Sequence, residues 1–271
     1  MQGSSRASLA SAEERLETLL GAPDVDRTGV ADGLFAVAGL LDRNVTLRRA
    51  LTDPSQEGDA KAGLANRLLE GKLPGQVVDL VAGLARSRWA QARDLADALE
   101  QLAVTALMAA AESENRLDRV EDELFRFGRI ANADPQLRAA LADPRASVER
   151  RSRLLDQLLA DKVAPETLRL ARQAVLSARG LNLEGALAHY GQLAARRREQ
   201  LVAHVIVALP LEEAHRDRLT AALRQLYGRP VHLNVDVDPD VIGGIRVEVG
   251  DEVLDGTVSR RLDEARRRLA G

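Results

Sequence analysis

The chain has 271 residues, which suits two domains with room for a third small one. Hydrophobic residues make up 45% of it but aromatics only 2%, so apolar packing must rest on alanine and leucine, a composition that favours helices. With no cysteine and a formal charge of -3, it excludes disulfides, thiolate zinc sites and cysteine nucleophiles, and has no overall field to draw it to nucleic acid or an anionic membrane.

The N-terminal segment MQGSSRASLASAEERL has no apolar signal core, and its acids argue against a transit peptide. Ser11-x-x-Glu14 is expected to act as a capping box for the first helix. Further on, Leu34, Val37, Ala38 and Leu41 fall at i, i+3, i+4 and i+7, one face of a helix. Leu102 to Ala111 is the longest nearly unbroken apolar stretch, well short of the roughly 18 residues that cross a bilayer. The reading is a soluble protein that stays where it is made.

An internal repeat organises the first two thirds. LFAVAGLLDRNVTLRRALTDP, from Leu34, and LFRFGRIANADPQLRAALADP, from Leu124, align without a gap at an offset of 90. Lys72 and Lys162 keep that offset; Pro74 and Pro165, and Gln101-Leu102-Ala103 and Gln192-Leu193-Ala194, follow at 91. A period this long marks a duplicated domain, since solenoid units are shorter. In the second copy Leu117, Val120, Leu124, Phe127 and Ala131 form an apolar seam. Asp53-Pro54 and Asp143-Pro144 are helix stops, because the residue before proline is pushed out of the α region. Leu64 and Leu68, then Leu154 and Leu158, restart the pattern. Each copy reads as a bundle of about five or six helices, with residues 1–103 and 104–198 as the two domains. Trp89 reads as a core anchor. At the offset-90 positions Glu149, Arg150, Arg151 and Arg153 stand against Asp59, Ala60, Lys61 and Gly63, so surface charge diverged while the core pattern was kept.

After Leu201 the period changes. VAHVIVALP reads as a strand, and Leu219, Ala222, Leu223 and Leu226 as a helix closed by Gly228 and Pro230. VHLNVDVD and IRVEV alternate as strands, and Val258, Leu262, Ala265 and Leu269 form a last helical stripe. Residues 199–271 are therefore a small α/β domain in the order strand, helix, strand, strand, helix. The fold class is mostly α with this small α/β C-terminal domain.

Asp236, Asp238 and Asp240 raise the question of a cation loop. An EF-hand needs glycine at position 6 and glutamate at 12, and counting from Asp236 those positions hold Val241 and Val247. The aspartates fit the polar side of a strand and the turn after it. Gly243-Gly244 permits a sharp reversal, and Gly250-Asp251 is a hairpin signal between IRVEV and EVLDG. No phosphate loop is present, since Gly71-Lys72 is followed by Leu73. His189, His204, His215 and His232 are scattered without metal-ligand spacing, and no G-x-S-x-G elbow exists. No catalytic, metal or cofactor site is expected.

Asp238-Pro239, Ile242-Gly243-Gly244, Gly250-Asp251, Asp255-Gly256-Thr257 and Arg261-Leu262 follow one another in nearly ungapped order over about 30 residues. This run resembles the C-terminal signature of the delta subunit of F-type ATP synthases, the family that includes the mitochondrial oligomycin-sensitivity-conferring protein. Upstream, Ala106-Leu107 and the segment Asn132 to Pro144 resemble that family's N-terminal bundle. Two departures stand out: the family's opening tyrosine is missing, and a whole extra bundle precedes the usual start. The resemblance implies a non-catalytic stator subunit, present in one copy and bound to the cytoplasmic face of a bacterial plasma membrane only through its complex. It also implies that a bundle holds the N-terminal helix of the alpha subunit, and that the C-terminal domain meets b-subunit stalk helices. Arg260, Arg261, Arg266, Arg267 and Arg268 on the last helix are the candidate partner-binding surface. No nucleic-acid partner is expected. The competing readings are an RNA-binding or transcription adaptor using that basic helix, a peripheral-stalk protein of a secretion system, and, last, an enzyme without a recognisable site.

Overall fold

The computed structural model describes residues 1, 3–143, 145–176, 182–199, 201–228, 231–238, 243–249 and 252–255. The chain divides into two compact units, Met1–Arg197 and Arg198–Gly271.

The first unit is helical. Its elements are α1 (Ser4–Leu20), α2 (Arg27–Arg43), α3 (Val45–Thr52), α4 (Gly58–Leu69), α5 (Gly75–Arg86), α6 (Ala92–Ser113), α7 (Leu117–Ala133), α8 (Pro135–Ala142), α9 (Val148–Leu159), α10 (Pro165–Leu176) and α11 (Leu183–Glu199). The apolar faces read from the sequence are the ones that go inside. Leu34, Val37, Ala38 and Leu41 are buried on α2, and Leu117, Val120, Leu124, Phe127 and Ala131 on α7. α3 and α8 stop at extended Asp53 and Asp143. Local chemistry sets several starts. The Asp26 carboxylate accepts from the Gly29 amide at 2.8 Å to open α2. Asp134 accepts from Gln136 and Leu137, and Pro135 at the first helical position needs no donor there.

One expectation fails. Ser11 and Glu14 do not cap the first helix, because α1 begins at Ser4 with Gly3 as its N-cap. The upstream turn is held by distant partners instead. The Ser5 hydroxyl donates to Asp94 at 2.6 Å and accepts from the Ala90 amide at 2.7 Å, and Ser8 donates to the Arg88 carbonyl. Those bonds extend the helix beyond the local signal.

The helices recur. α2, α3, α4 and α5 are followed 90 residues later by α7, α8, α9 and α10, and α11 begins 91 residues after α6. Contacts recur with them. Arg48 sits near Asp42 at 3.9 Å, and Arg138 bonds Asn132 at 3.3 Å. Lys61 donates to the Ser87 carbonyl past the end of α5, and Arg151 to the Val175 carbonyl of α10. α6 spans the residue pair 103/104 at which the sequence divides the copies. It is buried nearly all round, from Leu95 to Ala111, as a helix enclosed on every side must be. A single apolar core runs from Ala12 through α6 to Ala194.

The second unit is a sheet with one described helix. β1 (Leu201–Val207) leads into α12 (Glu213–Tyr227), β2 (Val231–Val237), β3 (Ile245–Val249) and β4 (Glu252–Asp255). The strand order is β2-β1-β3-β4. β1 and β2 are parallel, joined through α12, while β3 is antiparallel to β1 and β4 to β3. EVLD thus adds a fourth strand to the three read from the sequence. Alternate residues Ala203, Val205 and Val207 meet Val231, Leu233, Val247, Val249 and Leu223 in a separate small core. α12 ends on Gly228 at φ 65°, the left-handed residue that stops a helix.

Candidate partner-binding surfaces

Of the glycines singled out from the sequence, Gly243 lies at φ 62° and Gly244 at φ 92°, conformations that a side chain disfavours, immediately ahead of β3. Asp238 donates its amide to the Val207 carbonyl at 2.9 Å, extending the β1–β2 ladder by one bond. Asp255 ends β4 in register with Arg246. Pro239, Asp240, Ile242, Gly250, Asp251, Gly256 and Leu262 lie outside the described residues, as do Arg260, Arg261, Arg266, Arg267 and Arg268 and the last helical stripe.

Among the described residues no three His, Asp or Glu side chains are grouped to hold a metal ion. His189, tilted against Tyr190 at 6.3 Å, is held below the ordinary histidine range by burial and by Arg196. His204 and His215 are exposed on the second unit. Trp89 is buried, and its indole donates to the Leu84 carbonyl at 2.9 Å. Among the described residues no helix is long and apolar enough to cross a membrane.

The polar chemistry serves instead to fasten helices. Arg197 of α11 donates to Glu17 of α1 and to Glu112 of α6, both at 2.7 Å, with only 11% of its side chain exposed. The Tyr190 hydroxyl of α11 donates to Glu100 of α6, and Gln101 of α6 to Glu13 of α1. Burial pushes the Glu13 carboxyl up, and its bond from Gln101 and the nearby Arg196 only partly offset this. These long-range pairs bind α1, α6 and α11 together. Periodicity could not reveal them, since the partners stand far apart in sequence.

The part of the helical unit from α7 to α11 has a hollow. It lies between α7, α8, the end of α10 and the start of α11, with a volume of about 700 Å³. Gly128, Ala131, Ala139, Ala174 and Leu183 give it an apolar lining, and Arg138 and Arg151 border it. A second hollow adjoins it at Asn132, beside Arg126, Arg129 and Ile130. A third shares Arg151 and adds Arg150 and Arg153. On the α7 surface nearby, Phe125 is 65% exposed and Ile130 60%.

Known proteins resemble this chain over its whole length. The family model described as ATP synthase delta (OSCP) subunit matches residues 104–269. An ATP synthase subunit delta of Streptomyces coelicolor is 53% identical, over 100% of this chain and 98% of its own length. Its counterpart in Streptomyces griseus is 51% identical over the whole of both chains, and that of Kineococcus radiotolerans 51% over 99% and 98%. The chain therefore belongs to the ATP synthase delta (OSCP) subunit family, a non-catalytic component of the ATP synthase.

Proposed function

We propose that this chain joins the catalytic head of the ATP synthase to the peripheral stalk, so that rotor torque drives synthesis instead of turning the head. A helical bundle holds the N-terminal helix of the alpha subunit, and the C-terminal unit meets the b-subunit stalk helices. The last helix, with Arg260, Arg261, Arg266, Arg267 and Arg268, supplies the stalk-facing charge. The chain reaches the cytoplasmic face of the plasma membrane only through these partners. One observation carries the reading: the family match takes in both the second bundle and the sheet unit, the two parts such a junction needs. Helix-in-groove recognition suits bundles packed through small residues. Several linked contacts raise effective concentration, so no single interface has to be very tight.

Residues 1–103 and 104–198 are, in this reading, two copies of one ancestral bundle, the second retaining the family's role. The recurrence of helix boundaries at 90 residues supports this. The test is co-purification. The tagged full-length chain, expressed in its own cells, should bring down alpha and b subunits after mild membrane solubilisation. Recovery of neither would refute the proposal, and so would a deletion strain that keeps full proton-driven ATP synthesis.

A further inference from the structure

The hollow between α7, α8, α10 and α11 is lined by small residues where larger ones stand 90 positions earlier. Ala131 and Ala174 answer to Leu41 and Leu84, each 1% exposed in the core, and Gly128 answers to Ala38. Where the leucines fill their surroundings, the alanines leave about 700 Å³ open. That volume lies in the usual range of small-molecule sites, and a close-packed interior does not otherwise leave such a space.

The cation at this hollow lacks a counter-charge. Arg151 of α9 lines it, half-buried, and its Nη1 donates to the Val175 carbonyl at 3.0 Å. Its Nε–H is buried with no acceptor, and no carboxylate pairs with it among the described residues. Arg116, Arg169 and Arg197, half-buried as well, lie 2.7, 3.4 and 2.7 Å from carboxylate oxygens of Glu166, Asp32 and Glu17. The remaining charges nearby are already placed. Arg138 donates to the Asn132 carbonyl and side-chain oxygens at 3.4 and 3.3 Å, and Glu184 is exposed. Asp143, in the neighbouring hollow that Arg151 also lines, accepts from the Arg145 amide at 2.9 Å. Taking a guanidinium out of water without a counter-ion is costly, and an anionic oxygen offsets that cost through charge-assisted bonds.

We propose that this hollow binds a small organic carboxylate with a compact apolar body. The body lies among Gly128, Ala131 and Ala174, and the carboxylate meets the Arg151 guanidinium. The inference does not depend on the stator reading.

The test is calorimetric titration of the purified full-length chain with naphthoate, and with naphthamide as its neutral counterpart of the same shape. Naphthoate should bind one-to-one with a Kd below about 1 mM, and naphthamide about tenfold or more weaker. Two variants locate the site. Ala131→Leu with Ala174→Leu puts in the residues found 90 positions earlier and should abolish saturable binding. Arg151→Lys removes the guanidinium yet can keep the carbonyl bond, as Lys61 does with the Ser87 carbonyl at 3.1 Å. It should bring naphthoate to within about twofold of naphthamide, since an ammonium lacks the planar fork that a carboxylate matches. If the leucine pair does not fold, as far-UV ellipticity would tell, Ala174→Leu alone and Arg151→Lys carry the decision. No saturable binding, equal affinity for the two probes, or naphthoate affinity unchanged in the variants would overturn the proposal. So would naphthoate that binds the free chain but is shut out once the chain is seated on the purified catalytic head, an outcome that gives the hollow to a protein partner.

Discussion

Arg197 Nη1 and Glu17 Oε1 lie 2.7 Å apart although 180 residues separate them in sequence. With Glu112 on its other side, this one guanidinium fastens the first, the sixth and the last helix of the unit. Its fork of fixed donors suits two carboxylates better than an ammonium would. Replacing Arg197 with methionine keeps much of the stem but leaves Glu17, with 14% of its side chain exposed, without its cation. We expect a loss of about 1.5–3 kcal/mol in denaturant stability. Arg197→Lys should recover part of it. A double-mutant cycle with Glu17→Gln should show a coupling of about 1 kcal/mol or more. Additive losses would mean that the pair contributes packing alone.

A second relationship contrasts two pairs of positions that stand 90 residues apart. Gly33 on α2 lies so close to Val77 that a side-chain carbon there would meet it at 3.1 Å. Ninety residues on, Glu123 stands opposite Thr167. Its Oε2 accepts from the Thr167 hydroxyl at 2.6 Å and from the Ala164 amide at 2.8 Å. Burial pulls the Glu123 carboxyl up, but the bonds from Thr167, Ala164 and Arg119 together outweigh it and hold it below the ordinary 4.5. A group lowered on folding stabilises above its unfolded pKa, and that contribution is lost as pH falls through the folded value. Thr167→Val, which keeps the shape and removes the donor, should raise the carboxyl's pKa, as read by carbon NMR. It should cost about 1–2 kcal/mol at neutral pH and less at acid pH, where Glu123 is protonated in either variant. A loss that does not change between pH 7 and acid would contradict the assignment.

These two cases mark what the sequence could and could not tell. The buried faces of α2 and α7 and the stops at Asp53 and Asp143 follow from short-range rules, and each is where those rules put it. The start of α1 is not, because Ser5 answers to Asp94 and Ala90 rather than to its neighbours. The clamp at Arg197 is equally illegible, since nothing in the local sequence sets Arg197 apart from Arg196 and Arg198 on either side.

In the second unit, Gly244 lies at φ 92° immediately ahead of β3. Gly244→Ala should cost about 1–2 kcal/mol, the usual penalty for a side chain in left-handed backbone. The loss should appear as faster amide exchange in β1 and β3, which share a ladder with Ala203 opposite Val249. Exchange that does not change would show that the turn relaxes freely.

Trp89 is the single tryptophan of the chain, buried against Leu84, so its fluorescence reports the first bundle. Helical ellipticity, by contrast, arises from every helix, those of the second bundle included. The two bundles share α6 and one continuous core, and Arg197 ties α1 to α11 across it. A core without a seam has no place at which one bundle can melt and leave the other standing, because the survivor would expose the apolar side of α6. Denaturant transitions followed by fluorescence and by far-UV ellipticity should therefore share a midpoint in the full-length chain. An earlier fluorescence transition would show the first bundle to be a separately folding domain, and the shared helix to be a point of contact instead of a common core.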